Sequence, residues 1–222
     1  LGTLLPTAVI LSACAGPLST LDPAGPAAGR VAGLWWGMLA GASVLMALVL
    51  GLFALAFLKR DWQWQARSDK RWLLWGGLVM PLAVLTVLMG FALWVGERLL
   101  PHPADDVWRV EAKAERWQWR FSYPDRPDLG ETVTVMTIPA GRPVDVDIVS
   151  QDVIHSFWVP RLAGKLDAIP GHRNRLRILA DRAGTFSGVC AEYCGIGHAG
   201  MVFAVEALDD AAFAAFAGEV AR

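Results

Sequence analysis

Two long stretches without a charged side chain constrain this chain more than anything else in it: Val31–Leu58 and Trp72–Gly96. A bilayer core demands about 20 apolar residues of helix, so each stretch is long enough to span it with some tilt. A buried helix of a soluble protein rarely runs this far uncharged. The composition agrees: 55% of the 222 residues are hydrophobic, against about 45–50% for ordinary domains even when glycine is counted. Between the stretches, Lys59, Arg60, Arg67, Lys70 and Arg71 outnumber Asp61 and Asp69. By the positive-inside rule this connection is cytoplasmic and both termini lie outside. Trp35, Trp36, Trp72 and Trp94 stand near the span ends, where indole rings prefer the headgroup region.

Three segments follow. Residues 1–30 read as a lipoprotein-type signal and a periplasmic linker. "LSAC", Leu11 to Cys14, resembles a bacterial lipoprotein cleavage box after the apolar run "LLPTAVI", which makes Cys14 a lipidated residue once the signal is removed. "GPLSTLDPAGPAAG" then reads as a Pro/Gly-rich linker. Residues 31–98 form the two-helix transmembrane hairpin with its cytoplasmic loop, and residues 99–222 an outer domain.

In that outer domain the pattern changes from continuous to alternating. "WRVEAKA", "RWQWRFSY", "ETVTVMTI", "PVDVDIVS", "RLRILA", "TFSGVC" and "MVFAVEA" are short, rich in β-branched and aromatic residues, and separated by Pro, Gly or Asp turns. They predict a β-sandwich or Greek-key barrel. "DDAAFAAFAGEVAR" predicts a terminal helix with Asp209 or Asp210 as N-cap. From Glu97 to Arg222 there are 18 acidic and 14 basic side chains, a balance that argues against a nucleic-acid partner and for a basic protein partner. No CxxCH is present, so no c-type haem is attached here.

The chemistry concentrates in "CAEYCGIGHAGM", Cys190 to Met201. Two thiols four residues apart in an oxidising compartment become a disulfide unless something holds them as thiolates. A disulfide, a zinc site and a copper site are the three readings. Zinc has no use for the methionine, whereas soft thiolate and thioether ligands select copper. His155, in "DVIHSFWVP", is the other well-placed imidazole, while His102 and His172 read as solvated surface histidines. With two thiolates and two imidazoles, two coppers bridged by both sulfurs use the ligands more fully than one. Such a site suits electron transfer rather than substrate chemistry.

At these residues the chain closely resembles subunit II of the haem-copper cytochrome c oxidases. The resemblance rests on the helix hairpin, "VIHSFWVP", "GKLDAIPG" and "CAEYCGIGH" with a Met three residues on. It implies a two-helix membrane hairpin plus an all-β cupredoxin-like Greek-key sandwich. It further implies a dinuclear CuA centre of two copper ions held by His155, Cys190, the Glu192 backbone carbonyl, Cys194, His198 and Met201. The Glu192 side chain would serve a magnesium or manganese ion shared with subunit I. Trp117, in "RWQWRFSYPD", would receive the electron from cytochrome c, with Trp119 beside it, and Asp152 matches an acid beneath the copper centre. The implied function is that of the electron-accepting subunit of a terminal respiratory oxidase of the bacterial inner membrane, an oxidoreductase complex. It takes single electrons from cytochrome c at CuA and passes them to haem in subunit I, where oxygen is reduced to water. The implied partners are subunit I, other oxidase subunits, cytochrome c and membrane lipid. Two departures stand out: no Glu opens the second helix in "SDKRWLLWGG", and Glu115 and Arg116 precede Trp117 where the family usually has Gly-His-Gln. The rival readings are a copper-free structural subunit of a quinol oxidase, which should lack the ligand set, a membrane-anchored copper carrier or sensor, and a zinc-binding interaction module.

Overall fold

The computed structural model describes residues 14–58 and 69–218. The basic connection at 59–68, the cleavage-box residues before Cys14 and the last four residues lie outside the described residues. The chain divides into two compact units: residues 33–98, and the residues up to Ala32 together with Leu99 onward.

The first unit belongs to two helices, α1 (Pro26–Leu58) and α2 (Asp69–Glu97), each long and apolar enough to cross a membrane. Their side chains are almost entirely exposed within the chain, the arrangement expected of surfaces that face lipid or another apolar protein. The few polar groups are satisfied locally: Ser43 donates to the Leu39 carbonyl at 2.8 Å and Thr86 to the Leu82 carbonyl at 2.7 Å, because hydrocarbon offers them no other acceptor. In α2 a π-helical turn over Trp75–Val79 precedes Pro81. Proline has no N–H to give the carbonyl four residues back, and the widened turn takes up that irregularity.

The second unit is a sandwich of ten strands: β1 (Trp108–Glu115), β2 (Gln118–Ser122), β3 (Glu131–Val133), β4 (Val135–Pro139), β5 (Val144–Ser150), β6 (His155–Trp158), β7 (Leu166–Ala168), β8 (Asn174–Ile178), β9 (Gly184–Cys190) and β10 (Val202–Leu208). One sheet has the order β3-β2-β1-β5-β8 and the other β4-β10-β9-β6-β7. The pairings β1 with β5 and β4 with β10 are parallel and link strands distant in sequence, which gives the Greek-key sandwich that the family resemblance implied; of the strand pattern's two readings, sandwich or barrel, the sandwich is the one observed. The "ETVTVMTI" segment, read as one strand, is two strands in different sheets. Thr134 breaks it with a φ of 62°, and its N–H and C=O reach Trp119 in one sheet and Ala204 in the other. The four-residue β6 and three-residue β7 are too short to show an alternating pattern.

Alternation along the strands builds the core. Val110, Ala112 and Ala114 of β1, Trp119 and Phe121 of β2, Met136 and Ile138 of β4, and Val205 of β10 are all fully buried. On β5 Val144, Val146 and Ile148 point inward, yet Asp145 and Asp147 are buried too. The neighbouring edge strand explains this: Arg177 stands opposite Asp145 and Arg175 opposite Asp147. Each guanidinium grips its carboxylate with two hydrogen bonds of 2.7–3.1 Å. Charged pairs of this fork geometry are directional, and they also cap an otherwise open sheet edge. A terminal helix, α3 (Asp210–Ala217), is capped by Asp209, whose carboxylate accepts from the Ala212 N–H at 2.9 Å, and ends on Gly218 in the left-handed region.

The segment expected to be a linker is docked on this unit, and α1 begins at Pro26, five residues before the uncharged stretch. Ala24 donates to the Arg161 carbonyl at 2.7 Å, and the Asp181 N–H donates to the Ala24 carbonyl at 2.9 Å. Arg161 returns two contacts to Asp22, one to its carbonyl at 2.9 Å and one to its carboxylate at 2.9 Å. Gly25 is required there, because a Cβ would lie 2.2 Å from the Leu179 carbonyl oxygen.

Core tightness has a measurable consequence at Gly188. A Cβ on Gly188 would sit 2.2 Å from the Phe203 ring, and Phe203 is itself wedged among Trp119, Phe121 and Phe157. Gly188→Ala should therefore destabilise the β unit by about 1–3 kcal/mol, read as a lowered unfolding midpoint. An unchanged midpoint would show that this core is looser than described.

Candidate metal centre

Three antiparallel neighbours, β6, β9 and β10, position the cysteine loop. His155 opens β6, Cys190 closes β9, and the register sets Phe157 opposite Cys190. The loop from Ala191 to Met201 then turns back into β10. Its two ends are tied where Cys190 donates to the Met201 carbonyl at 3.0 Å, and Ala191 ties it sideways to the Ser156 carbonyl at 2.9 Å. Inside, His198 opens a 3-10 turn over His198–Gly200, and Gly195 takes a φ of +123°, a conformation that side-chain-bearing residues avoid.

This folding brings together the residues singled out by the sequence. The sulfurs of Cys190 and Cys194 lie 3.8 Å apart, side by side but unjoined. Nδ1 of His155 lies 3.8 Å from the Cys190 sulfur, and Nδ1 of His198 lies 3.7 Å from the Cys194 sulfur. Met201 Sδ is 3.7 Å from the Cys194 sulfur, and the Glu192 carbonyl oxygen is 3.3 Å from the Cys190 sulfur. Each thiol thus has one imidazole and one weaker donor beside it. Ligating atoms of His155, Cys190 and Cys194 all fall within 4.8 Å of one another, with all three residues buried.

The orientation of His155 is set from behind. Its Nε2 is 2.8 Å from Asp152 Oδ1, so the carboxylate holds a proton on Nε2 and leaves the Nδ1 lone pair facing the sulfurs. Burial raises the Asp152 pKa, but hydrogen bonds from His155, from the Val153 N–H and from the backbone and side chain of Arg116 more than reverse this, and the carboxyl titrates well below the usual range. At Cys194 the balance runs the other way: burial first, and then the neighbouring Cys190, push the thiol up to about 11. A nearby cation would offset this cost and favour the Cys194 thiolate. The donor set of two thiols, two imidazole Nδ1 atoms, one thioether and one carbonyl fits soft, copper-type metal.

Trp117 sits over this loop, 38% exposed, and its indole N–H donates to the Cys194 carbonyl at 3.2 Å. Two glycines make room for it: a Cβ on Gly197 would lie 2.4 Å from the indole, and one on Gly195 would lie 3.1 Å from it. Trp119 is fully buried, edge-on to His155. The Glu192 carboxylate accepts from the Tyr193 N–H at 3.2 Å rather than facing the sulfurs. Cys14, His102 and His172 take no part in the cluster: Cys14 is exposed, the His102 carbonyl accepts from Arg177, and His172 sits in an exposed turn. Sequence reasoning missed the exposed apolar rim of Tyr193 and Ile196, 73% and 92% exposed, and the contact of Arg116 with Asp152. The only signal for the rim was two apolar residues inside a ligand loop.

Known proteins resemble this chain in sequence and fold. The family model "Cytochrome C oxidase subunit II, periplasmic domain" matches residues 127–208. Cytochrome c oxidase subunit 2 of Alkalihalophilus pseudofirmus is 28% identical over 90% of this chain and 62% of its own length, so this chain spans under two thirds of that relative. Ubiquinol oxidase subunit 2 of Acetobacter aceti is 30% identical over 97% of this chain and 73% of its own length. The solved periplasmic domain of subunit II of cytochrome oxidase from Bradyrhizobium japonicum is 30% identical, covers 54% of this chain and 95% of that domain, and superposes with a TM-score of 0.48. With its apolar helix pair, its cupredoxin-like sandwich and its buried His/Cys cluster, the chain belongs to the cytochrome c oxidase subunit II family.

Proposed function

We propose that this protein is the electron-accepting subunit of a bacterial terminal respiratory oxidase, taking single electrons from a cytochrome c and passing them to haem in subunit I, where oxygen is reduced to water. The observation that carries the reading is the convergence of two unjoined thiols, two imidazoles and a thioether in one cluster, buried except for the half-buried His198. A dinuclear copper centre, CuA, held there supplies a one-electron redox change. The chain's own residues do the rest. Cys190 and Cys194 would hold it through their sulfurs, His155 and His198 through Nδ1, and Met201 and the Glu192 carbonyl as weaker donors. Asp152 fixes the tautomer of His155. Burial of His155, Cys190, Cys194 and Met201 keeps most water away, so these ligands would reorganise little when charge changes.

Electrons are received beside Trp117, whose N–H joins the surface directly to the backbone of a ligand, Cys194. The Glu192 side chain is proposed to serve a magnesium or manganese ion shared with subunit I. The two helices anchor the chain in the inner membrane with the copper domain and both termini on the periplasmic side, and Cys14 is proposed to carry lipid. Other oxidase subunits pack against the exposed helix faces.

A second reading has one observation in its favour: the Acetobacter ubiquinol oxidase subunit 2 aligns along 97% of this chain. A copper-free subunit has no need of the ligand set, however, and all six positions are filled here by residues that the fold brings together.

Two experiments on the full chain test the proposal. Loaded with copper, it should give an electron paramagnetic resonance spectrum in which one unpaired electron is shared equally by two copper nuclei, and Cys194→Ser should abolish both that signal and cytochrome c oxidation by the assembled oxidase. A single-copper spectrum, or full turnover in Cys194→Ser, would sink the reading. Gly197→Ala should displace Trp117 and slow electron uptake from cytochrome c by at least about tenfold, a barrier change of about 1.4 kcal/mol, while the copper spectrum persists. Uptake at the original rate would remove Trp117 from the route.

A further inference from the structure

Arg116 lies in the turn between β1 and β2, immediately before Trp117. Its backbone N–H donates to Asp152 Oδ2 at 2.8 Å, and its Nε reaches the same oxygen at 3.2 Å. The other carboxylate oxygen, Oδ1, meets His155 Nε2 at 2.8 Å and accepts from the Val153 N–H at 2.6 Å. One carboxylate therefore carries a cation on one oxygen and a metal-facing imidazole on the other. Side-chain exposure falls steeply along this path, from 48% at Arg116 to 23% at Asp152 and 0% at His155, so three side chains connect solvent to a buried ligand.

We propose that Arg116 is a positioning residue that sets the redox potential of the metal centre through Asp152 and His155. The inference rests on the copper reading above and extends it to a residue outside the ligand set. A carboxylate hydrogen-bonded to the distal nitrogen of a metal-bound imidazole makes that imidazole a stronger electron donor. The guanidinium on the opposite oxygen draws off part of the carboxylate charge and weakens this push. With the guanidinium gone, Asp152 pulls harder on the Nε2 proton, His155 donates more strongly, and the oxidised centre is favoured. The sign is therefore fixed: loss of the Arg116 side chain lowers the potential. The backbone N–H of residue 116 survives Arg116→Gln and Arg116→Lys, so the turn keeps one of its two ties to Asp152.

The test uses the full copper-loaded chain and four variants: Arg116→Gln, Arg116→Lys, Asp152→Asn, and Arg116→Gln combined with Asp152→Asn. Redox titration followed by the optical bands and the paramagnetic resonance spectrum reads the potential directly, independently of turnover. Arg116→Gln should shift the one-electron equilibrium toward the oxidised form by about three- to tenfold, roughly 30–60 mV, with the two-copper hyperfine pattern intact, and Arg116→Lys should recover part of the shift. In the Asp152→Asn background, Arg116→Gln should add nothing, because contacting residues on one path are non-additive. An unchanged potential in Arg116→Gln overturns the proposal. So does an equal shift in the Asp152→Asn background, which would reduce Arg116 to a distant charge. Absence of the two-copper signal in the unsubstituted chain is a different failure, since it removes the copper reading itself and this inference with it.

Discussion

Two thiols buried 3.8 Å apart are the constraint on which the rest of the site depends. Left alone they are poor neighbours: burial and mutual repulsion hold Cys194 protonated up to about pH 11, and an oxidising compartment favours their union. The fold holds them close enough to share cations yet unjoined, as the proposed metal centre requires. It does so by distributing them over two constraints. Cys190 is fixed by strand register against Phe157 of β6, whereas Cys194 rides on a loop whose ends are tied by Cys190 and Met201. His155 arrives on the adjacent strand for the same reason, since β6 pairs with β9 at that end of the sheet.

Around this centre the sandwich is stiffened at its weakest places. The sheet that bears no ligands ends on β8, an edge strand, and the Arg175–Asp147 and Arg177–Asp145 forks close it. Such partly buried ion pairs add little net stability over an apolar alternative, but their directionality fixes how β8 lies on β5. On the other side, residues 22–28 cover the segment Arg161–Leu162 that follows β6. That segment is continuous with the strand bearing His155, so the docked N-terminal segment supports the ligand strand from outside the sandwich.

What the sequence made legible follows from what leaves a local trace. The ligand loop was readable because Cys, Cys, His and Met fall within twelve residues, and β1, β5, β9 and β10 because they alternate over seven or eight residues. The N-cap was narrowed to two aspartates, and side-chain geometry selects Asp209. β6 and β7 left no periodic trace. The break at Thr134 was hidden because a β-branched residue occupies a left-handed position where glycine is the usual signal. The docking of residues 22–28 was hidden differently: most of its bonds are made by backbone groups, across a separation of 139 residues at Asp22 and Arg161. Arg116 was visible only as a departure from a family motif, and its partner Asp152 is 36 residues away.

The same loop carries the proposed metal ligands and the seat of Trp117, and this explains its glycines at 195 and 197. Trp117 must lie flat enough on the loop for its N–H to reach the Cys194 carbonyl, and only residues without a Cβ at 195 and 197 leave the space. Between them Ile196 projects into solvent and Tyr193 stands beside His198, so the atoms nearest the ligands on the outside are apolar. The surrounding domain is acidic on balance. Charge at a distance steers a basic partner and raises its arrival rate, while a small apolar contact at the centre sets how long it stays. The electron transfer proposed above needs fast arrival and fast departure of the donor, and a narrow apolar rim around one indole would meet both demands better than a broad ionic interface.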